Sequence, residues 1–216
     1  MEKLKRYVAL SFIFATLFFF GGIYVGYTLQ GNQMNTVNNE LENVDQELNQ
    51  METMVLMNSV NKNLTCEYLQ GNLHVVYNDL ESVREQVASM EKDIKLRNNN
   101  DYNRLALDLI NMRIKYWLLG EAVRSNCNPN LTTVLFFYSV NKKCTDCEIM
   151  GIELSDISKK CDVVIAPIPS DSKADSANLF VKYYNITETP TLIINQHKKV
   201  VGLVPEKNLT EILCNS

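Results

Sequence analysis

Residues 131–216 of this 216-residue chain predict an α/β domain of order β-α-β-α-β-β-α, preceded by a transmembrane helix and an α-helical coiled-coil and hairpin region. Three observations carry that expectation. Apolar residues recur at helical spacing as far as Val123 and then, from Leu131, in short β-rich runs. A Cys-x-x-Cys pair, Cys144 and Cys147, stands between the first of these runs and the next helix. Thr189-Pro190 comes directly before another run of apolar β-formers, Thr191 to Ile194.

The N-terminal element is the plainest. Residues 7–29 contain no charged side chain, and as a helix they span ~35 Å, enough for a ~30 Å hydrocarbon core. Lys3, Lys5 and Arg6 precede the run and no Lys or Arg follows until Lys62. That asymmetry predicts a cytoplasmic tail, 1–6, and an extracytoplasmic remainder. A cleaved signal peptide would carry a shorter apolar core and a small-x-small cleavage site. Six cysteines suit an oxidising compartment, and the net charge of −4, with no basic cluster, gives no reason to expect nucleic acid as a partner.

Beyond the anchor, Met34, Val37, Leu41, Val44, Leu48, Met51 and Val55 form a heptad seam, so 30–60 predicts a coiled-coil stalk. A seam without a nearby partner predicts a parallel homodimer through 34–55, or else a segment that folds back on the hairpin of its own chain. The stripe breaks around Asn61-Lys62-Asn63 and resumes from Leu69 to Ile94. Asn98-Asn99-Asn100-Asp101 stops it, and a third stripe runs from Tyr102 to Val123. Two stripes of similar length joined by a few residues predict an antiparallel hairpin over 64–127. The third helix has a second apolar face, Leu107, Ile110, Ile114 and Trp117, available to whatever follows it.

The α/β elements follow in order. Thr132–Tyr138 reads as a buried strand, 145–160 as a helix, Asp162–Pro167 as a strand and 173–184 as a helix. Thr191–Ile194 and Lys199–Val204 read as a hairpin around Asn195-Gln196-His197-Lys198, and a last helix runs from Pro205-Glu206 to about Cys214. Two cysteines one helical turn apart can open and close a disulfide, and the helix N-terminus favours the thiolate of the first.

With Cys-x-x-Cys after the first strand and Thr-Pro before the third, residues 131–216 resemble the thioredoxin-like fold family; Tyr183 to Thr191 is the nearest match outside the cysteines. The whole layout resembles membrane-anchored prokaryotic, archaeal-type thioredoxin-like proteins. The resemblance implies catalytic roles for Cys144 as nucleophile and Cys147 as resolving thiol. It also implies a cis Pro190 facing them, and a Thr189 backbone offered to an extended substrate. The implied activity is thiol–disulfide exchange with extracytoplasmic protein thiols or disulfides, with no cofactor. Lys143, Thr145 and Asp146 depart from the family's Trp and Gly-Pro, and no carboxylate stands near Tyr138 in the first strand. The direction of electron flow therefore stays open.

The competing class is a redox-silent peptide-binding or scaffold module with a structural disulfide. A zinc site would need a second cysteine pair or histidines at metal spacing, so no metal is expected; His74 and His197 lie in the hairpin and a turn. Cys66 and Cys127 bracket the hairpin, and folding at Asn99 brings them toward one end, where a structural disulfide would clamp it. Cys161 and Cys214 are expected as small buried hydrophobes.

Overall fold

The computed structural model describes the backbone of residues 2–56, 62–91 and 100–214, and the side chains of 12–25, 35–56, 65–91 and 102–214. Of the expected helix breaks, Asn61 and Asn98-Asn99 lie outside the described residues, while Lys62, Asn63, Asn100 and Asp101 are helical; the side chains of Met34 and Ile94 also lie outside. Two units divide the chain, 1–40 and 41–216. The segments expected as anchor and stalk belong to one helix, α1 (Glu2–Leu56). Among the described residues no helix is long and apolar enough to cross a membrane; of the expected span 7–29, only residues 12–25 have described side chains.

The second unit holds the remaining elements. Helices α2 (Lys62–Glu91) and α3 (Asn100–Asn126) form the expected hairpin. The stripe from Leu69 to Met90 on α2 is buried, as are Leu105, Leu109, Tyr116, Leu119 and Val123 on α3. A disulfide joins Cys66 to Cys127 across 61 residues, with Cα atoms 5.3 Å apart.

Within this unit the α1 seam is also covered. Leu41, Val44, Leu48 and Met51 are buried inside the single chain. Lys115 of α3 reaches Asp45 at 3.6 Å and Glu52 at 3.5 Å and bonds Asn49, while the Tyr68 hydroxyl donates to Gln50 at 3.1 Å. From Leu41 to Met51 the seam thus lies against the hairpin of its own chain, as the second reading of the heptad has it.

The sheet order is β2-β1-β3-β4. Strand β1 (Thr132–Tyr138) is central, parallel to β2 (Val163–Pro169) and antiparallel to β3 (Thr191–Ile194); β4 (Lys198–Val201) closes the far edge. A central strand is apolar on both faces, which is why TTVLFFY reads as a continuous run rather than an alternation. One face is covered by α4 (Thr145–Ser158) and α6 (Glu206–Cys214), through Met150, Leu154, Ile157, Leu209 and Leu213. The other is covered by α5 (Asp175–Tyr183) and by α3, whose Ile110, Ile114 and Trp117 pack with Leu135, Phe137, Ala166, Ile168 and Ile193. The second apolar face read on the third helix thus forms half of a sheet layer, and Trp117 meets Phe180 edge-on at 5.6 Å.

Two details fix how closely α3 lies on the sheet. Gly120 faces Val164, and a Cβ there would come within 2.7 Å of Val164 Cγ1. The buried Glu121 accepts from Gln196 at 2.6 Å, pairs with Arg124 at 2.9 Å and also bonds Thr133. A buried carboxylate needs such partners, and these ones tie α3 to β1 and to the β3–β4 turn.

Three expectations need correction. Strand β4 ends at Val201 rather than Val204, because Gly202 takes φ +84° after one last bond, its N–H to the Pro190 carbonyl at 2.8 Å. Strand β2 runs on to Pro169. Cys161 and Cys214 are not separate small hydrophobes: they form a disulfide, Cα atoms 5.6 Å apart, that links the end of α4 to the end of α6. Packing α4 and α6 side by side on one sheet face brings these two C-terminal ends together.

Candidate functional site

Strand β1 ends at Tyr138, and the five residues 139–143 carry the chain to α4. Asp171, just after β2, organises that loop. Its carboxylate accepts from Ser139 Oγ at 2.6 Å, Val140 N at 3.0 Å and Asn141 N at 2.9 Å, and Ser139 Oγ accepts from Lys142 N at 3.1 Å. Partial burial pushes the Asp171 carboxyl up, but the hydrogen bonds from Ser139, Val140 and Asn141 outweigh it and hold the group below the usual carboxylate range.

The loop delivers Cys144 as the N-cap of α4. Its Sγ accepts the Cys147 N–H at 3.2 Å, as an N-cap side chain accepts one of the unpaired donors of the first turn. The helix partial charge therefore converges on the Cys144 sulfur. Cys147, one turn further in, is buried and packs into the core beside Met150 and Phe136. The two cysteines form a disulfide with Cα atoms 5.2 Å apart. Lys142, Lys143, Asp146 and Glu148 are all exposed around the helix start.

The third strand brings the rest of the site. The Thr189–Pro190 bond is cis, and the Thr189 carbonyl oxygen lies 3.9 Å from Cys144 Sγ. Pro190 is buried, and its carbonyl accepts from Gly202. Residues separated by 45 positions thus meet at one sulfur. The possible structural cysteines lie elsewhere: Cys66 and Cys127 close the base of the hairpin. Among the described residues no group of His, Cys, Asp and Glu could hold a metal ion.

Two participants were not read from the sequence. Asp171 works through bonds to residues 30 or more positions away. Arg113 stands amid the apolar residues of α3 and is buried, on the wall of a cavity of about 1210 Å³ that also reaches Cys144 and Cys147. That cavity lies between the α2–α3 hairpin, strand β2 and α4. A charge inside an apolar stripe was the available sign. The first strand carries no carboxylate near Tyr138, but the fold brings one beside it: Asp171 bonds Ser139 and is partly buried, whereas the buried Glu121 lies by Thr133. Five residues of strand, roughly 17 Å, separate Thr133 from Tyr138.

No protein-family model matches the chain, and the search of curated proteins found no relative. Among solved structures the chain is similar to a mutant thioredoxin from Halobacterium salinarum at 21% identity, over 39% of this chain and 74% of that one, with a TM-score of 0.34. It is similar to thioredoxin O1 from Arabidopsis thaliana, in its oxidised state, at 22% identity, over 46% of this chain and 90% of that one, TM-score 0.34. A third is chloroplastic thioredoxin z, at 19% identity over 42% of this chain and 81% of that one, TM-score 0.33. On its own strand order, with α4 and α6 on one face and α5 on the other, the region after Leu131 has a thioredoxin-like fold.

Proposed function

We propose that this chain is a membrane-anchored, extracytoplasmic thiol–disulfide oxidoreductase that works through Cys144 and Cys147. The observation that carries the reading is the position of Cys144: N-cap of α4, Sγ 3.2 Å from a backbone amide, with its disulfide partner buried one turn behind. That geometry stabilises a thiolate on the outer sulfur and keeps the inner one for the second step. In the reduced protein the Cys144 thiolate attacks a partner disulfide, forming a mixed disulfide and releasing one thiolate. Cys147, deprotonated, then attacks Cys144, which closes the intramolecular disulfide and releases the second thiol. The half-open backbone of Thr189 beside the sulfur would hold an extended protein substrate during the exchange.

Anchoring is part of the proposal. Phe12, Phe14, Leu17, Phe18, Phe19, Phe20, Ile23 and Tyr24 are all exposed, and a charge-free apolar surface of that size is costly in water. Hydrocarbon solvates it, with Lys3, Lys5 and Arg6 held on the cytoplasmic side.

Expression of Cys147→Ala in the full chain, followed by acid quench and non-reducing electrophoresis of carbonate-washed membranes, tests both halves. The expected result is mixed disulfides in the membrane pellet, lost in Cys144→Ala and in the double variant. Equal alkylation of both cysteines in the reduced protein, with no trapped species from either variant, would establish the silent scaffold instead. Full release by alkaline carbonate would remove the anchor.

A further inference from the structure

Arg113 lines the cavity beside the cysteines. Arg113 is 5% exposed, and its Nη2 is shut away from solvent with no hydrogen-bond partner. The other basic groups of the hairpin and of α4 on this wall are engaged: Arg84 bonds Glu81 at 2.8 Å, and Lys159 bonds Asp156 at 3.1 Å. Burying a guanidinium costs several kcal/mol unless something compensates it. Six basic and four acidic side chains line the cavity, in a chain whose net charge is −4. The space is therefore positive while the molecule is negative.

Its shape limits what can enter. The walls are α2 and α3 on one side and α4 with β2 on the other, and Cys144 and Cys147 are part of the lining. At about 1210 Å³ it is slightly above the usual size range of small-molecule sites, and its lining mixes apolar residues such as Leu107, Ile110, Phe136 and Ile152 with the charged ones. A carboxylate is the natural counter-ion for a guanidinium because two parallel N–H donors match its two oxygens.

We infer that this cavity binds a small carboxylate-bearing disulfide, its carboxylate on Arg113 and its sulfur at Cys144. The inference rests on the redox reading of Cys144 and adds to it a second class of substrate. The exchange balances without any further reagent. The Cys144 thiolate attacks one sulfur of the small disulfide, forming a mixed disulfide and expelling one small thiolate. Cys147, its proton passed to water, attacks Cys144 Sγ and expels the second thiolate. One protein disulfide and two small thiols result. Arg113 is a binding residue in this scheme and takes no part in the electron transfer.

The test uses the reduced full chain in neutral detergent, oxidised by dithiodipropionate or by its uncharged diamide, with quenched alkylation reading the two rates. Wild type is expected to react at least tenfold faster with the dicarboxylate. Arg113→Met should abolish that preference, with an unchanged far-ultraviolet circular dichroism spectrum reporting an intact fold. Arg113→Lys should retain part of the preference. An equal preference in Arg113→Met, or none in wild type, overturns the inference while the redox reading stands. Failure of both reagents to oxidise Cys144 would overturn the redox reading itself.

Discussion

Replacement of Gly120 by alanine isolates the contact that seats α3 on the sheet. An added Cβ would lie 2.7 Å from Val164 Cγ1, and 3.1 Å from its Cβ and Cγ2. Carbon pairs are at their optimum at about 3.5–4.0 Å, so the overlap approaches 1 Å. Val164 cannot retreat easily: it is β-branched, 2% exposed and held in the β1–β2 ladder. Overpacking of this kind costs about 1–3 kcal/mol. Alanine in a helix interior recovers about 1 kcal/mol of propensity. The net expectation for Gly120→Ala is a loss of up to about 2 kcal/mol. In a Val164→Ala background only the Cβ contact at 3.1 Å survives, which a few tenths of an ångström relieves. There the same substitution should stabilise by roughly 0.5–1 kcal/mol, a change of sign. Guanidinium titration of the full chain in detergent measures the cycle. Trp117, the only tryptophan, is a built-in probe, since it lies on α3 against Phe180. Equal stabilisation by Gly120→Ala in both backgrounds would refute close packing of α3 on β2, and with it the fixed position of Arg113 two turns away.

Removal of the hairpin clamp by Cys66→Ala with Cys127→Ala should cost about 4 kcal/mol by loop-closure entropy for a loop of this length. The same titration reads it, and a loss below about 1 kcal/mol would mean that the hairpin is held by its apolar seam alone. Asp171→Asn should cost roughly 1 kcal/mol at neutral pH, discounted for partial exposure. Because the folded carboxyl is held below its unfolded value, its contribution is present above the ordinary carboxylate range and is lost as pH falls through the lowered value. The gap between Asp171→Asn and wild type should therefore narrow on acidification, and a gap constant from neutral pH to about pH 2 would show that the loop does not depend on the ionised group.

Much of the fold was legible because periodicity reports burial. Ile110, Ile114 and Trp117 could be read as a second face before any sheet was placed beneath them, and the positive φ of Asn195 and Gln196 matches a turn expected from residue type alone. What could not be read depended on distance in sequence. Cys161 and Cys214 are 53 residues apart, and only side-by-side packing of α4 and α6 makes them partners. The α1 seam fitted two helices or one folded chain equally well, since a heptad names a contact surface and not its occupant. Lys115, which reaches Asp45 and Glu52, supports the folded-back arrangement through residues far apart in the chain. At the site, Cys144 and Pro190 carried their own signal, whereas Asp171 and Arg113 acquire their roles only from neighbours brought by the fold.

The strand order leaves β2 and β4 as the two edges of the sheet. Ser170 N–H points inward to the Tyr138 carbonyl, so by strict alternation the amides of 163, 165, 167 and 169 point outward. Two of these positions are Pro167 and Pro169, which have no N–H to give. At the opposite edge β4 carries Lys198 and Lys199, both exposed. One edge therefore offers few donors and the other repels a like-charged copy, so neither invites strand addition from a second molecule. Under the proposed anchoring, copies would meet at high local density in the plane of a bilayer, where such edges guard against aggregation.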